Sequence, residues 1–484
     1  MLICWACHMN LYDAMEYPSY AIPQSYPDQL AVIAAMFGMD PVSPAKARVL
    51  DVGCGSGGNL LPMALLWADS QYVGIDLAST AIEKANARAQ RLGLTNVRFD
   101  CVDIMDLPLD FGKFDYIIAH GLISWVPPQV RERLFEICRD RLTPQGLAYI
   151  SYNAYPGCHV RDMFRGIMLE HTRGITDLQE RAQQAQAIVE TIATSGISSD
   201  AIQDLARSER DIICRKSLGS LTHDELQVDF QAFYVHQFEA LAARHGLQFV
   251  FEAVYREGQP PTAITEDATA LLEQAKQRGF IAYEQYQDFL KLRRFRQSLI
   301  THAAVPLDRD APSRSMHRFH FAATLQRADV PDGVEFTNTA SKAAVTTAQA
   351  GNIAALDRIA RAWPSTVAFA DLLDDPERVE KLSATLERFF AAGLIDAHAT
   401  PRILPQQPGP KPEIWSYTRL QAESERVLTP KTLISVAIED ENIRKLVLLA
   451  DGTRTIDELV EQLGDAAGVQ RALAGASRLG FLVR

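Results

Sequence analysis

One stretch limits this chain more than any other: Val49-Leu-Asp51-Val-Gly53-Cys54-Gly55-Ser-Gly57-Gly58-Asn59. An apolar run breaks into closely spaced glycines and resumes as Leu60-Leu-Pro62-Met, the pattern of a strand turning tightly into a helix. Glycine admits backbone angles that other residues avoid and lets a ligand approach the main chain. The first helical turn adds free N–H groups, and Pro62 is tolerated there. A turn of this kind belongs at the edge of a parallel sheet, so the surrounding chain is committed to an α/β fold.

The pattern from Ala47 to about Tyr152 agrees. Strands are expected at Arg48–Val52, Tyr72–Ile75, Val97–Val102, Phe114–Ala119 and Leu147–Tyr152. Between the second and third, Thr80-Ala-Ile-Glu83 reads as a capping box, and Ile82, Ala85, Ala89 and Leu92 share one helical face that Gly93 ends. After the fourth strand, Val130, Leu134, Ile137 and Leu142 mark a helix, stopped by Thr143-Pro-Gln-Gly146. Residues 159–206 are helical and polar, an insertion on the sheet. Phe230–Gly246 reads as a helix, Leu247–Val254 as a sixth strand, Glu266–Arg296 as helical and Gln297–Ala303 as a seventh strand.

At 484 residues the chain exceeds a single core. Beyond Pro306 an internal repeat emerges. Trp363-Pro-Ser-Thr-Val-Ala-Phe-Ala-Asp-Leu-Leu, a helix and Gly393-Leu-Ile-Asp are echoed by Gly452-Thr-Arg-Thr-Ile-Asp-Glu-Leu, a helix and Gly480-Phe-Leu-Val. Each copy has a winged-helix outline, with Pro401–Pro412 as linker. The expected plan is therefore an N-terminal lid (1–45), a sheet core (46–158), a helical insertion (159–215), a segment completing the sheet (216–305), and two α+β winged-helix-like units (306–400 and 413–484).

Three acids frame the glycine turn. Asp51 precedes it, Asp76 ends the second strand and Asp103 follows the third. Gly53, Gly55 and Gly58 also satisfy G-x-G-x-x-G, so a dinucleotide must be weighed. A pyrophosphate over the turn would be repelled by Asp51, whereas the cationic sulfonium and ammonium of S-adenosylmethionine would be attracted. Asp76 suits ribose hydroxyls, and Asp103 the adenine amino group. The cofactor set expected on this basis is Asp51, Gly53, Cys54, Gly55, Gly57, Asn59, Asp76, Leu77, Asp103, Ile104 and His120. No metal is expected.

These residues resemble the class I methyltransferases, with their Rossmann-like sheet, over roughly residues 45–155. Tyr17-Pro-Ser-Tyr20-Ala-Ile-Pro23-Gln-Ser-Tyr26-Pro27, His120-Gly-Leu-Ile-Ser124-Trp125-Val-Pro127 and Ser151-Tyr152-Asn153-Ala-Tyr155-Pro-Gly157 resemble, more narrowly, the bacterial protein-lysine methyltransferases with a regulatory domain. Leu221-Thr-His223-Asp-Glu225-Leu and Phe233-Tyr-Val-His236 are similar to that regulatory domain; His223 and His236 are read as structural. The resemblance implies a lysine acceptor on a protein, and rickettsial members of the family modify outer-membrane proteins. It puts Tyr20, His120, Trp125, Tyr152, Asn153 and Tyr155 around the acceptor, with the Tyr17–Pro27 segment folding over them. Methylation of a small molecule on O or N stays open as an alternative.

Composition sets the remaining limits. A net charge of −12, from 48 Lys+Arg against 60 Asp+Glu, argues against a non-specific nucleic-acid binder. Acidic residues also slightly outnumber basic ones from residue 341 onward, so the winged helices suit protein contacts or homodimerisation better than a DNA-binding regulator. Apolar runs fall short of the ~20 residues that cross a bilayer. Seven scattered cysteines and no secretory pattern point to the cytoplasm. Cys4-Trp-Ala-Cys7-His8 matches a haem-attachment pattern, but that chemistry needs export, and the match is set aside.

Overall fold

The computed structural model describes residue 15 and residues 17–484 except 109, 197–198 and 262–263; Cys4, Cys7 and His8 lie outside the described residues. Seven strands share one sheet: β1 (Arg48–Val52), β2 (Gln71–Asp76), β3 (Val97–Cys101), β4 (Phe114–Ala119), β5 (Leu142–Asn153), β6 (Leu247–Glu252) and β7 (Phe295–His302). Their order is β3-β2-β1-β4-β5-β7-β6. β1 to β5 pair in parallel, while β7 runs antiparallel to β5 and β6. The order reverses between β1 and β4, which opens a crevice at their carboxyl ends.

The near-continuous apolar strands follow from burial on both faces. Val49, Tyr72, Tyr116 and Tyr149 face one side, against the helices Pro27–Met36 and Leu60–Leu66. Leu50, Val73, Ile117 and Ala148 face the other, against Pro128–Arg141 and Val235–Arg244. The first core continues without a break into Phe321, Phe336, Leu356, Phe389 and Trp415 from the C-terminal part of the chain.

Several local expectations are corrected. Thr80 does not cap its helix: Ser79–Arg91 begins after Ala78, whose N–H is taken by the Asp76 carboxylate. Thr143–Gly146 does not separate helix from strand. Leu142 already pairs with Phe114, and a register shift between Phe114 and Tyr116 absorbs the extra residues inside β5. Phe230–Gly246 is helical only over Val235–Arg244, because the Gln231 and Phe233 N–H groups bond to Ser124 and Asn153 carbonyls. Glu266–Arg296 divides into Glu266–Gln277 and Phe280–Lys291 at Gly279, whose φ is +115°. The N-terminal part is more than a lid, since Pro27–Met36 is core.

The helical insertion comprises Cys158–His171, Leu178–Thr194 and Asp200–Ile213. Farther on, Val367–Ala368, His320–Ala322 and Asp396–His398 form a small antiparallel sheet beside helix Val379–Ala391. A meander over Leu325–Val330, Gly333–Asn338 and Ala344–Thr347 had no counterpart in the sequence reading. Near the end of the chain, Thr455 and Glu458 cap Ile456–Leu463 reciprocally, and Gly480 ends Ala466–Leu479 at a φ of +80°. The strand expected after Gly480 is reduced to one bridge between Leu482 and Ile414.

Candidate functional site

A cavity of about 320 Å³ opens at the carboxyl ends of β1, β2 and β4. Gly53 and Gly55 form one wall with φ of +81° and +53°, the left-handed region that glycine alone enters readily. Gly53 and Cys54 donate to the Ile75 carbonyl, and the Gly55 N–H donates to Asp76 Oδ2 at 2.8 Å. Asp76 Oδ1 accepts from Ala78 N at 2.9 Å. One carboxylate thus ties the glycine turn to the next helix. Because a carboxylate offers about four acceptor positions, it can also receive hydroxyl groups from a ligand.

Leu77 and Ile104 line the same end. Asp103 is not in the wall: its Oδ1 accepts from Met105 N at 2.8 Å and caps the turn Ile104–Asp106. Cys54 is buried against Gly74, and Gly57 faces Phe99, so neither side reaches the cavity. Asp51 also lies behind the turn, 3% exposed. Burial pushes its carboxyl up to about 7; a hydrogen bond with Asn59 opposes the rise and the charge of Asp76 adds to it.

Asn59 proves to be a latch. Its Oδ1 accepts from Ile22 N and its Nδ2 donates to Ser25 Oγ, both at 2.9 Å. Ser19 Oγ accepts from Gly58 N at 2.9 Å, and Tyr417 donates to the Gly58 carbonyl at 3.2 Å. The lid thereby crosses the glycine turn, which explains Gly58: a Cβ there would stand 2.3 Å from the Ser19 carbonyl oxygen. Gly58→Ala is expected to lift the lid, and hydrogen exchange should then show faster exchange at the Ile22 amide. Unchanged protection would mean the lid is held elsewhere.

The other end of the cavity holds His120, Trp125 and Asn153. His120 Nδ1 lies 2.9 Å from the Tyr149 hydroxyl, and burial lowers the imidazole to about 4. It is therefore neutral near pH 7 and too weakly basic to hold a proton taken from an amine. Asn153 N donates to Ser124 Oγ at 2.9 Å. Trp125 lies under the guanidinium of Arg161, 4.9 Å from ring centroid to Cζ. The structure does not bring the other three acceptor candidates to this wall. Tyr152 is fully buried, stacked on Phe238, and accepts from Ser298 Oγ. Tyr20 is 47% exposed. Tyr155 donates to Asp162 at 2.7 Å and stacks on His159, outside the cavity.

In their place the insertion and the segment after it contribute Arg161, Lys216, His223, Asp224 and Asp229, with Phe295 from β7. Sequence reasoning missed their roles because no spacing rule joins residues so far apart. His223, read as structural, lines the cavity and packs edge-on to Tyr17 of the lid, with ring centroids 5.9 Å apart.

Comparison with known proteins agrees with this geometry. Residues 49–146 match a methyltransferase domain family, and residues 218–302 match a family described as a predicted methyltransferase regulatory domain. An uncharacterized protein of Rickettsia prowazekii is 33% identical over 317 residues, 64% of this chain; the match spans only 56% of that relative's length. A second R. prowazekii protein, also uncharacterized, is 33% identical over 228 residues, covering 47% of this chain and 91% of the relative. The solved structure of PKMT2 from Rickettsia typhi in complex with AdoHcy superposes with a TM-score of 0.84 at 23% identity, over 97% of this chain and 100% of that one. At that identity the likeness shows a shared fold.

Proposed function

The chain belongs to the methyltransferases that carry a methyltransferase regulatory domain, and from that premise we propose that it transfers a methyl group from S-adenosylmethionine to lysine side chains of a protein. The residues present fit this cofactor. Gly53 and Gly55 leave the turn without side chains, Asp76 would receive the ribose hydroxyls, and Val102 and Ile104 would flank the adenine. When bound, the cofactor supplies an already activated methyl group.

The chain's own work is to place the nucleophile and exclude water. An acceptor amine enters past Trp125 and Asn153, beneath the lid. A free lysine has a pKa of ~10.4 and must arrive neutral. Desolvation within the cavity lowers that cost, and the neutral His120 adds no competing charge. The observation that carries the lysine reading is the match in fold with PKMT2 from Rickettsia typhi over 97% of this chain and all of that one, beside the motif resemblance to protein-lysine methyltransferases. At the acceptor end Asp224 and Asp229 are balanced by Arg161 and Lys216, so the wall offers no excess positive charge to a phenolate.

Purified enzyme, methyl-labelled cofactor and a bacterial lysate test this. Label in protein bands, resolved to lysine by mass spectrometry, is the expected result; label only in extractable metabolites would overturn it. Outer-membrane proteins before export are the substrates the resemblance favours, which would place the reaction in the cytoplasm. Among the described residues no helix is long and apolar enough to cross a membrane. The segments 306–400 and 413–484 are read as winged-helix-like units for protein contact or homodimerisation.

Asp51 gives the cofactor site a pH dependence. Its folded-state value of about 7 lies above the ordinary carboxyl range, so folding favours the neutral form. The stability this contributes is complete below about pH 4 and lost as pH rises through 7. A cationic ligand favours the ionised form, so affinity should rise about tenfold between about pH 5.5 and 7.5. Calorimetric titration measures this, and Asp51→Asn should flatten the profile.

A further inference from the structure

Helix Cys158–His171 presents Arg161 and Arg165, four residues apart, toward the segment that matches the regulatory-domain family. Arg165 donates to the carbonyls of Asp224, Glu225 and Gln227 at 2.8, 2.6 and 2.8 Å, pinning that backbone turn. Arg161 makes a two-point pair with the Glu225 carboxylate at 3.0 and 2.5 Å, and its Nη1 donates to Asn153 Oδ1 at 2.5 Å. Glu225 also receives Lys216 Nζ at 2.8 Å. Both arginines lie over Trp125 and Phe230, whose rings are 4.9 Å apart. The side chain of Glu225 is 2% exposed and that of Arg161 is 16% exposed.

From this geometry we infer that Glu225 is the positioning residue of the acceptor wall, acting through Arg161 on Asn153 and Trp125. The inference rests on the lysine-methylation reading for what the wall receives, while the contacts themselves do not depend on it. A guanidinium only donates, so its bond to Asn153 fixes which end of that amide is oxygen. Oδ1 keeps a second lone pair, suited to an N–H of the incoming amine. Glu225 supplies what Arg161 alone lacks, a rigid two-point partner that stops the long side chain from swinging off the Trp125 ring. Burial pushes the Glu225 carboxyl up, but Arg161 and Lys216 outweigh it and hold the group at about 2, so the clamp stays charged across the working pH range. The segment matched as regulatory therefore forms part of the site and sets its acceptor side.

Glu225→Gln keeps the shape and removes the charge. The expected result is a roughly 100-fold fall in kcat for protein methylation, since misplacing a reacting group by about 1 Å costs that much. Cofactor affinity by calorimetry should stay within about twofold of the parent. Trp125, isolated by difference against Trp125→Phe, should become more accessible to acrylamide quenching. If Glu225→Gln fails to fold, Arg161→Gln combined with Glu225→Gln removes the pair without stranding a buried charge, and the same three changes are expected. An unchanged kcat, or unchanged Trp125 quenching, overturns the inference, as does a fall in kcat matched by lost cofactor affinity. If the parent enzyme labels no protein, the lysine reading falls, and the quenching experiment still decides whether Glu225 sets the wall.

Discussion

Asp76→Asn is expected to weaken S-adenosylmethionine binding by about 100-fold, the first of the two largest effects the structure implies. The carboxylate accepts from both Gly55 N and Ala78 N. An amide has one accepting end, so one of these N–H groups must meet an NH₂ whichever way the side chain turns. The glycine turn then loosens where the ligand needs its backbone close. The acceptors for a ribose diol are lost in the same change. Bonds to a charged group contribute about 1.5–3 kcal/mol each, so a net loss near 3 kcal/mol, or about 100-fold, is a conservative sum. Asp103→Asn serves as the contrast, since Asp103 caps a local turn outside the cavity wall and should cost far less. Calorimetry on both variants, with circular dichroism to confirm folding, would decide. Equal losses would show that the β2 acid has no special place.

The cofactor end of the site was legible in sequence because its parts are local. A strand, a glycine turn and a helix start follow one another within β1 and the residues just after it, and burial on both faces made β1, β2, β4 and the second half of β5 readable as apolar runs. By contrast β3, at the sheet edge, buries only Phe99. Asp76, Leu77 and Ile104 then followed from strand ends. Failures came where one residue had a stronger claim elsewhere. Cys54 and Gly57 share the motif but pack inward, against Gly74 and Phe99. Tyr152 and Tyr155 sit on either side of Asn153, yet alternation along β5 sends Tyr152 into the core, and Tyr155 finds Asp162. The acceptor end was illegible for a different reason. Arg161, Lys216, Asp224 and Asp229 meet only after a three-helix insertion has folded back across the sheet, and no periodicity records that.

The second large effect concerns stability. Arg296 is fully buried in β7 and paired with three acids: Glu252 at 2.7 Å, Asp288 at 2.8 Å and Glu284 at 3.1 Å. Arg293 adds a second cation, 2.7 Å from Asp288. Two arginines thus face three carboxylates in a buried cluster, and burial holds the carboxyls of Glu284 and Asp288 above their ordinary range despite the attraction of Arg296. Arg296→Met should cost about 3–5 kcal/mol, the usual result of stranding buried charges by removing one partner. Arg296→Lys should cost less, because a point charge remains while the two-point bond to Asp288 is lost. The pH dependence separates charge from packing. Without Arg296 the carboxyls of Glu284 and Asp288 rise further above their unfolded values of about 4, and Glu252 loses the main attraction that holds its carboxyl low against burial. The stability they allow is then complete below about pH 4 and lost as pH climbs through the raised values. Urea midpoints of the full chain should therefore differ from the parent more at about pH 8 than at about pH 5. A deficit equal at both would mean that the cluster's shape, and not its charge, holds β6 and β7 against the helix Phe280–Lys291.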